Sequence, residues 1–139
     1  MSNVALNIRQ SQMDALQRDS DERFCERELC ALYPDFAGLA GAERYQLVSA
    51  GIKRAIAFRL TRLEYLTFLC FEQTFYPDCL EEPEFTWARQ VLIDSKRGPA
   101  ERMKRLRQKT VKRLLELEAK QEREEQAARD AASEGEEES

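Results

Sequence analysis

Five carboxylates fall within thirteen residues of one another: Glu72, Asp78, Glu81, Glu82 and Glu84. Calcium and magnesium take several oxygen ligands, so this density raises the question of a hard-cation site or of carboxylate chemistry. The spacing does not reproduce the alternating acids and turn glycine of a calcium loop. No serine, histidine or lysine stands beside these acids as a catalytic partner. The stretch FYPDCLEEPEFTWA, residues 75–88, adds four aromatics and two prolines. The expectation is a structural corner. Phe75, Phe85 and Trp87 close one end of a helical bundle, the prolines set the turn, and the acids stay outside, so that Asp78, Glu81, Glu82, Phe85 and Trp87 are the corner's candidate contacts for a basic partner.

Other chemistry is thinly represented. Cys25, Cys30, Cys70 and Cys79 are spaced C-x4-C and C-x8-C, wider than zinc pairs, and the chain has no histidine to complete a site. Three of the four lie in apolar helical sequence, where a thiol behaves as a small hydrophobe. There is no glycine-rich phosphate loop, nucleophile elbow or metal motif. No catalytic residue, cofactor or metal is assigned, and the expectation is a protein that is not an enzyme.

Charge is ordered along the chain. Residues 1–95 carry ten basic and fifteen acidic side chains, residues 96–113 nine and one, and residues 116–139 three and ten. The basic run offers Arg102, Arg105, Lys109 and Lys112 as partner contacts. Phosphate backbone would attract such a run. Against nucleic acid, the cations surround the helix without interleaved aromatics, and the acidic run beside them is repulsive. A solvated helix, or a helix docking onto an acidic protein, fits better, and nucleic acid stays the lesser alternative.

The elements that position these residues are helical. With five glycines, four prolines and 35% charged residues, the chain suits an all-α protein with a long solvated segment. A first helix is expected over 9–31, with Met13, Leu16, Phe24 and Ala31 inward and Leu29 and Cys30 at the edge, ended by Pro34. A second, over 42–58, turns Tyr45, Val48, Ile52, Ala55 and Ile56 inward, and Gly51 within it points to a close helix crossing. Thr61 and Glu64 form a capping box opening a third helix to residue 75, which with Leu63, Leu66, Phe68, Leu69, Cys70, Phe71 and Phe75 is the most apolar and therefore the most enclosed. Pro83 suits the first turn of a short helix to residue 94 that turns Trp87, Val91 and Leu92 inward. From Pro99 to about residue 130 nothing interrupts a helix, and Met103, Leu106, Thr110, Leu114, Leu117 and Gln121 form its seam. The expected architecture is a compact bundle of about four helices over 1–95, a basic-then-acidic helix over 96–130 that partly protrudes, and a disordered acidic tail over 131–139. The seam is too short to dictate a coiled coil, and a homodimer through it stays open.

Three pieces of sequence resemble one family: NIRQSQMDAL at 7–16, FCERELCALYPDF at 24–36 followed by SAGIKRAIAF at 49–58, and FYPDCLEEPEFTWARQVLID at 75–94. The chain resembles small helical proteins of Proteobacteria encoded beside type VI secretion spike proteins (VgrG and PAAR types) and their cargo toxins. The matching positions are Ile8, Arg9, Gln12, Met13, Phe24, Arg27, Tyr33, Pro34, Gly51, Ile52, Ala55, Asp78, Pro83, Trp87 and Ala88. Cys70, Cys79 and the long C-terminal helix depart from the pattern. The resemblance implies an adaptor or chaperone that binds a toxin or spike component, and it carries over no catalytic residue. The alternative is an immunity protein, an acidic inhibitor of a cognate toxin. No signal peptide or membrane span is visible, so the expected compartment is the cytoplasm, with no membrane partner.

Overall fold

The computed structural model describes residues 2–137, with side chains over 9–135. Helices α1 (Ser2–Leu32), α2 (Pro34–Ala37), α3 (Gly41–Ala57), α4 (Tyr65–Thr74), α5 (Thr86–Leu92) and α6 (Pro99–Glu137) follow in order, with 3-10 turns at Cys79–Glu81 and Pro83–Phe85. There is no strand among the described residues, so the chain is all-α. Among the described residues no helix is long and apolar enough to cross a membrane.

Helix α4 holds the assembly together, because it packs on α1 and α3 on one side and on α6 on the other, while α5 packs on α6. Its Phe68, Leu69 and Phe71 are buried with Leu29 of α1, Val48, Ile52 and Ala55 of α3, Leu92 of α5 and Leu106 of α6. Removing one such aromatic typically costs about 3–5 kcal/mol. The expectation that α4 is the central helix holds, but Leu63 is 90% exposed, because the chain is still in a turn there and the regular helix begins at Tyr65.

The inward face of α1 differs from the expected one. Cys25 and Leu29 are buried, whereas Met13, Leu16 and Phe24 are exposed, the first two at 63% and 70%. The buried residues recur four apart on a face that also carries Glu22, and residues 9–16 are exposed all round. The few apolar residues of that segment therefore have no layer to enter. In α3 the centre of the expected face is buried, but Tyr45 and Ile56 at its margins are exposed.

Thr61 and Glu64 form half of a capping box. The Glu64 carboxylate accepts the Thr61 N–H at 2.9 Å and the Thr61 hydroxyl. The Glu64 N–H donates to the Thr61 carbonyl at 2.9 Å instead of to its side chain. Helix α3 ends in a Schellman turn. Leu60 N–H reaches the Ala55 carbonyl at 3.0 Å, Arg59 N–H reaches that of Ile56 at 2.8 Å, and Arg59 sits at φ 61°.

Ion pairs then join neighbours across the unit: Arg44 with Glu26 at 2.9 Å, Arg62 with Asp21 at 3.0 Å, and Arg54 with Glu72 at 2.6 Å. The Tyr33 hydroxyl lies 3.1 Å from the Cys70 carbonyl, to which it donates, tying the end of α1 to α4.

Helix α6 starts at Pro99 as expected, but its enclosed part is shorter than its seam. Met103 and Leu106 are buried, Thr110 is half-buried, and Leu114 and Leu117 are exposed. Enclosure fades past Thr110: Leu114 lines only an open groove against α4, and Leu117 is exposed. The helix also continues beyond residue 130, where the sequence suggested a disordered tail, and is described through Glu137. The last two residues of that tail lie outside the described residues.

Candidate protein-binding face

The acidic corner is built from the inside by aromatics. Phe75 and Phe85 meet edge to face with centroids 4.9 Å apart, and Phe71 and Trp87 do so at 6.1 Å. Cys79 and Leu80 are buried beneath the first 3-10 turn, and Arg89 donates to the Leu80 carbonyl. With its apolar residues inward and prolines spacing the turns, the segment leaves Asp78, Glu81, Glu82 and Glu84 all exposed. Among the described residues no three metal-ligating side chains cluster. Phe85 is buried in the corner, so of the residues assigned to a partner it packs the fold and is not free to make contacts.

Glu72 stands apart from these acids. Its carboxylate is buried and held by Arg54 through two hydrogen bonds, at 2.6 and 3.1 Å. Burial raises its pKa from 4.5 to about 7 against the lowering effect of Arg54, and the charge of Asp78 adds to the rise. Burial likewise pushes the Cys25 thiol up to about 12 and Cys79 to about 11. Neither thiol supplies a thiolate nucleophile at neutral pH. All four cysteines are free.

The basic run divides. Arg102 is buried and donates to the carbonyls of Leu92 at 2.6 Å, Phe58 at 2.7 Å and Arg59 at 3.3 Å. It joins the C-terminal ends of α3 and α5 to the start of α6, placing a cation where helix carbonyls lack partners. Arg102 is therefore a structural clasp and not a partner contact. Its i,i+3 spacing from Arg105 could not distinguish the two roles, because the acceptors come from distant segments. Arg105 is half-buried. Lys109 and Lys112 are exposed and line a recess of about 280 Å³ with Trp87, Arg113 and Glu116. The structure thus gathers Trp87, Lys109 and Lys112 and leaves Asp78, Glu81 and Glu82 on the corner.

An apolar strip escaped the sequence reading. Between α4 and α6 lies a groove of about 400 Å³ whose lining includes Leu66, Cys70, Phe71, Leu106, Val111 and Leu114. A second groove, of about 790 Å³, runs between α1 and the start of α4 past Phe24, Leu63 and Tyr65. Leu66 and Thr67 line both, so the two grooves adjoin there as one trough, apolar between α4 and α6 and mixed between α1 and α4, where Asp19, Asp21, Arg23 and Arg62 also line it. The residues were visible as apolar, but the sequence assigned Phe24, Leu63, Leu66 and Leu114 to the interior. The signal that could have exposed them is the shortage of partner helices for so many apolar faces. No protein-family model, curated protein or solved structure matches this chain.

Proposed function

We propose that the chain is a non-catalytic accessory protein that holds a helical segment of another polypeptide along the trough from Phe24 through Leu66 to Leu114. The observation that supports it is the meeting at Leu66 and Thr67 of two grooves, one bounded by α1 and α4 and the other by α4 and α6. Helix-in-groove recognition uses an apolar floor, as between α4 and α6, with polar margins, as between α1 and α4. Arg27 and Arg107 stand on the two margins and belong to no ion pair among the described residues, which favours a segment with acidic flanks. By sequence resemblance the first partners to test are type VI secretion toxins and spike proteins, with the chain acting as adaptor or chaperone before export. Co-expression with those proteins should capture one of them on the wild-type chain. A Leu66→Glu variant that melts like wild type should lose it. Capture that is indifferent to Leu66 would remove the trough from the binding surface.

The exposed Asp78, Glu81, Glu82 and Glu84 favour a second role, inhibition of a basic toxin as an immunity protein. An immunity protein rescues cells that express the toxin. An adaptor supports export of the toxin and leaves those cells unprotected.

A further inference from the structure

Helix α6 carries a second pattern, on a face that the fold leaves empty. Lys104, Gln108, Val111, Leu115, Glu118 and Glu122 follow one another at alternating steps of four and three. That is the spacing of a coiled-coil seam. All six are exposed, Val111 at 57% and Leu115 at 60%, and none makes an ion pair or side-chain hydrogen bond among the described residues. Met103, Leu106 and Thr110, which face the bundle, lie on a different side of the helix. The six residues span about 27 Å of helix at 1.5 Å per residue.

The chemistry of this seam is palindromic. It opens on a cation, closes on an anion, and has two apolar residues at its centre. Turned end over end about a point between Val111 and Leu115, it meets its own complement. Val111 then faces Leu115 of the second copy, Gln108 faces Glu118, and Lys104 faces Glu122, with each layer occurring twice. A parallel arrangement would instead stack Lys104 on Lys104 and Glu122 on Glu122. The same complementarity extends over the whole helix, whose first half is basic and second half acidic.

We infer that α6 is an antiparallel self-association helix and that the occupant of this face is a second copy of the chain. A two-fold pairing of this kind is isologous: each protomer gives and receives the same contacts. It also gives the charge reversal along α6 a complement in the second copy. The seam shares Val111 with the trough above, but Lys104, Leu115 and Glu122 lie outside it, so variants at those three positions test pairing without altering the trough.

The test is sedimentation of the full-length chain and of charge-reversed variants. Wild type should form a dimer that weakens as salt rises. Lys104→Glu sets glutamate against Glu122 of the second copy, and Glu122→Lys sets lysine against Lys104. Each should weaken the dimer about tenfold, because two exposed pairs turn from attraction to repulsion. An equimolar mixture of the two variants should pair again, since both layers that join residues 104 and 122 are then Glu against Lys. A single chain carrying both reversals should also recover, and Leu115→Glu should be monomeric. Circular dichroism of each variant keeps loss of folding separate from loss of pairing. Wild type that stays monomeric at its highest soluble concentration overturns the proposal. So does a dimer indifferent to both reversals, or a mixture no better paired than its components.

Discussion

A Cβ placed on Gly51 would lie 2.1 Å from Cδ2 of Leu69 and 2.8 Å from the Glu72 carboxylate, so α3 and α4 touch where α3 has no side chain. Glycine inside a helix sacrifices about 1 kcal/mol against alanine. Forcing a methyl into a packed crossing costs about 1–3 kcal/mol. Leu69 is buried and cannot swing away freely, so the crowding wins. Gly51→Ala should lower stability by about 1–2 kcal/mol in urea unfolding. A variant more stable than wild type would mean that the two helices stand further apart.

Arg59 is the opposite case, a residue whose side chain the backbone would do better without. It occupies the left-handed position of the Schellman turn at φ 61°, the place usually given to glycine. Its side chain belongs to no ion pair among the described residues. The left-handed conformation costs a residue with a Cβ roughly 1–2 kcal/mol. Arg59→Gly should therefore raise stability by about 0.5–1 kcal/mol, part of the gain being returned as glycine's greater freedom when unfolded. A fall in melting temperature would show that the arginine side chain makes a contact worth more than the strain.

These two positions show what the sequence carried and what it withheld. Gly51 within an apolar helical stretch announced a close approach, because only contact geometry explains glycine there. Arg59 announced nothing, since a Schellman turn without glycine looks like helix. Pro34 and Pro99 marked boundaries through backbone chemistry that is local and therefore legible. The inward face of α1 was not legible, because its apolar residues are too sparse to define a stripe and Cys25 and Leu29 are buried by what α3 and α4 bring to them. Arg102 looked like its exposed neighbours Lys104 and Lys109. Its three carbonyl acceptors lie on other elements, and no spacing along α6 records them.

Glu72 gives the chain a specific pH dependence. Its pKa rises from 4.5 to about 7 on folding, chiefly through burial. The folded chain thus holds this proton more tightly than the unfolded chain. Its contribution is fully present below about pH 4.5 and is lost as pH climbs to about 7, by on the order of 3 kcal/mol. Glu72→Gln keeps the shape without the titration. Relative to that variant, wild type should lose stability between pH 5 and pH 7 and then level off. Chemical denaturation of both proteins across that range is the measurement. Wild type gaining on the variant as pH rises would mean that the Arg54 pair outweighs desolvation.

Trp87 separates a structural corner from an interface anchor. Its ring packs near Phe71, Phe75 and Phe85, with centroids 6.1–6.2 Å away. Its indole Nε1 is enclosed without a hydrogen-bond partner among the described residues. Trp87→Ala should cost about 3 kcal/mol, at the lower end for a core aromatic because the ring is only half-buried. Trp87→Phe retains an aromatic ring and removes the unpartnered donor, so it should stay within about 1 kcal/mol of wild type. Unfolding curves of the two variants decide the matter. If Trp87→Ala melts like wild type yet fails to retain a captured partner, the tryptophan is a contact residue and the corner stands on Phe71, Phe75 and Phe85 alone.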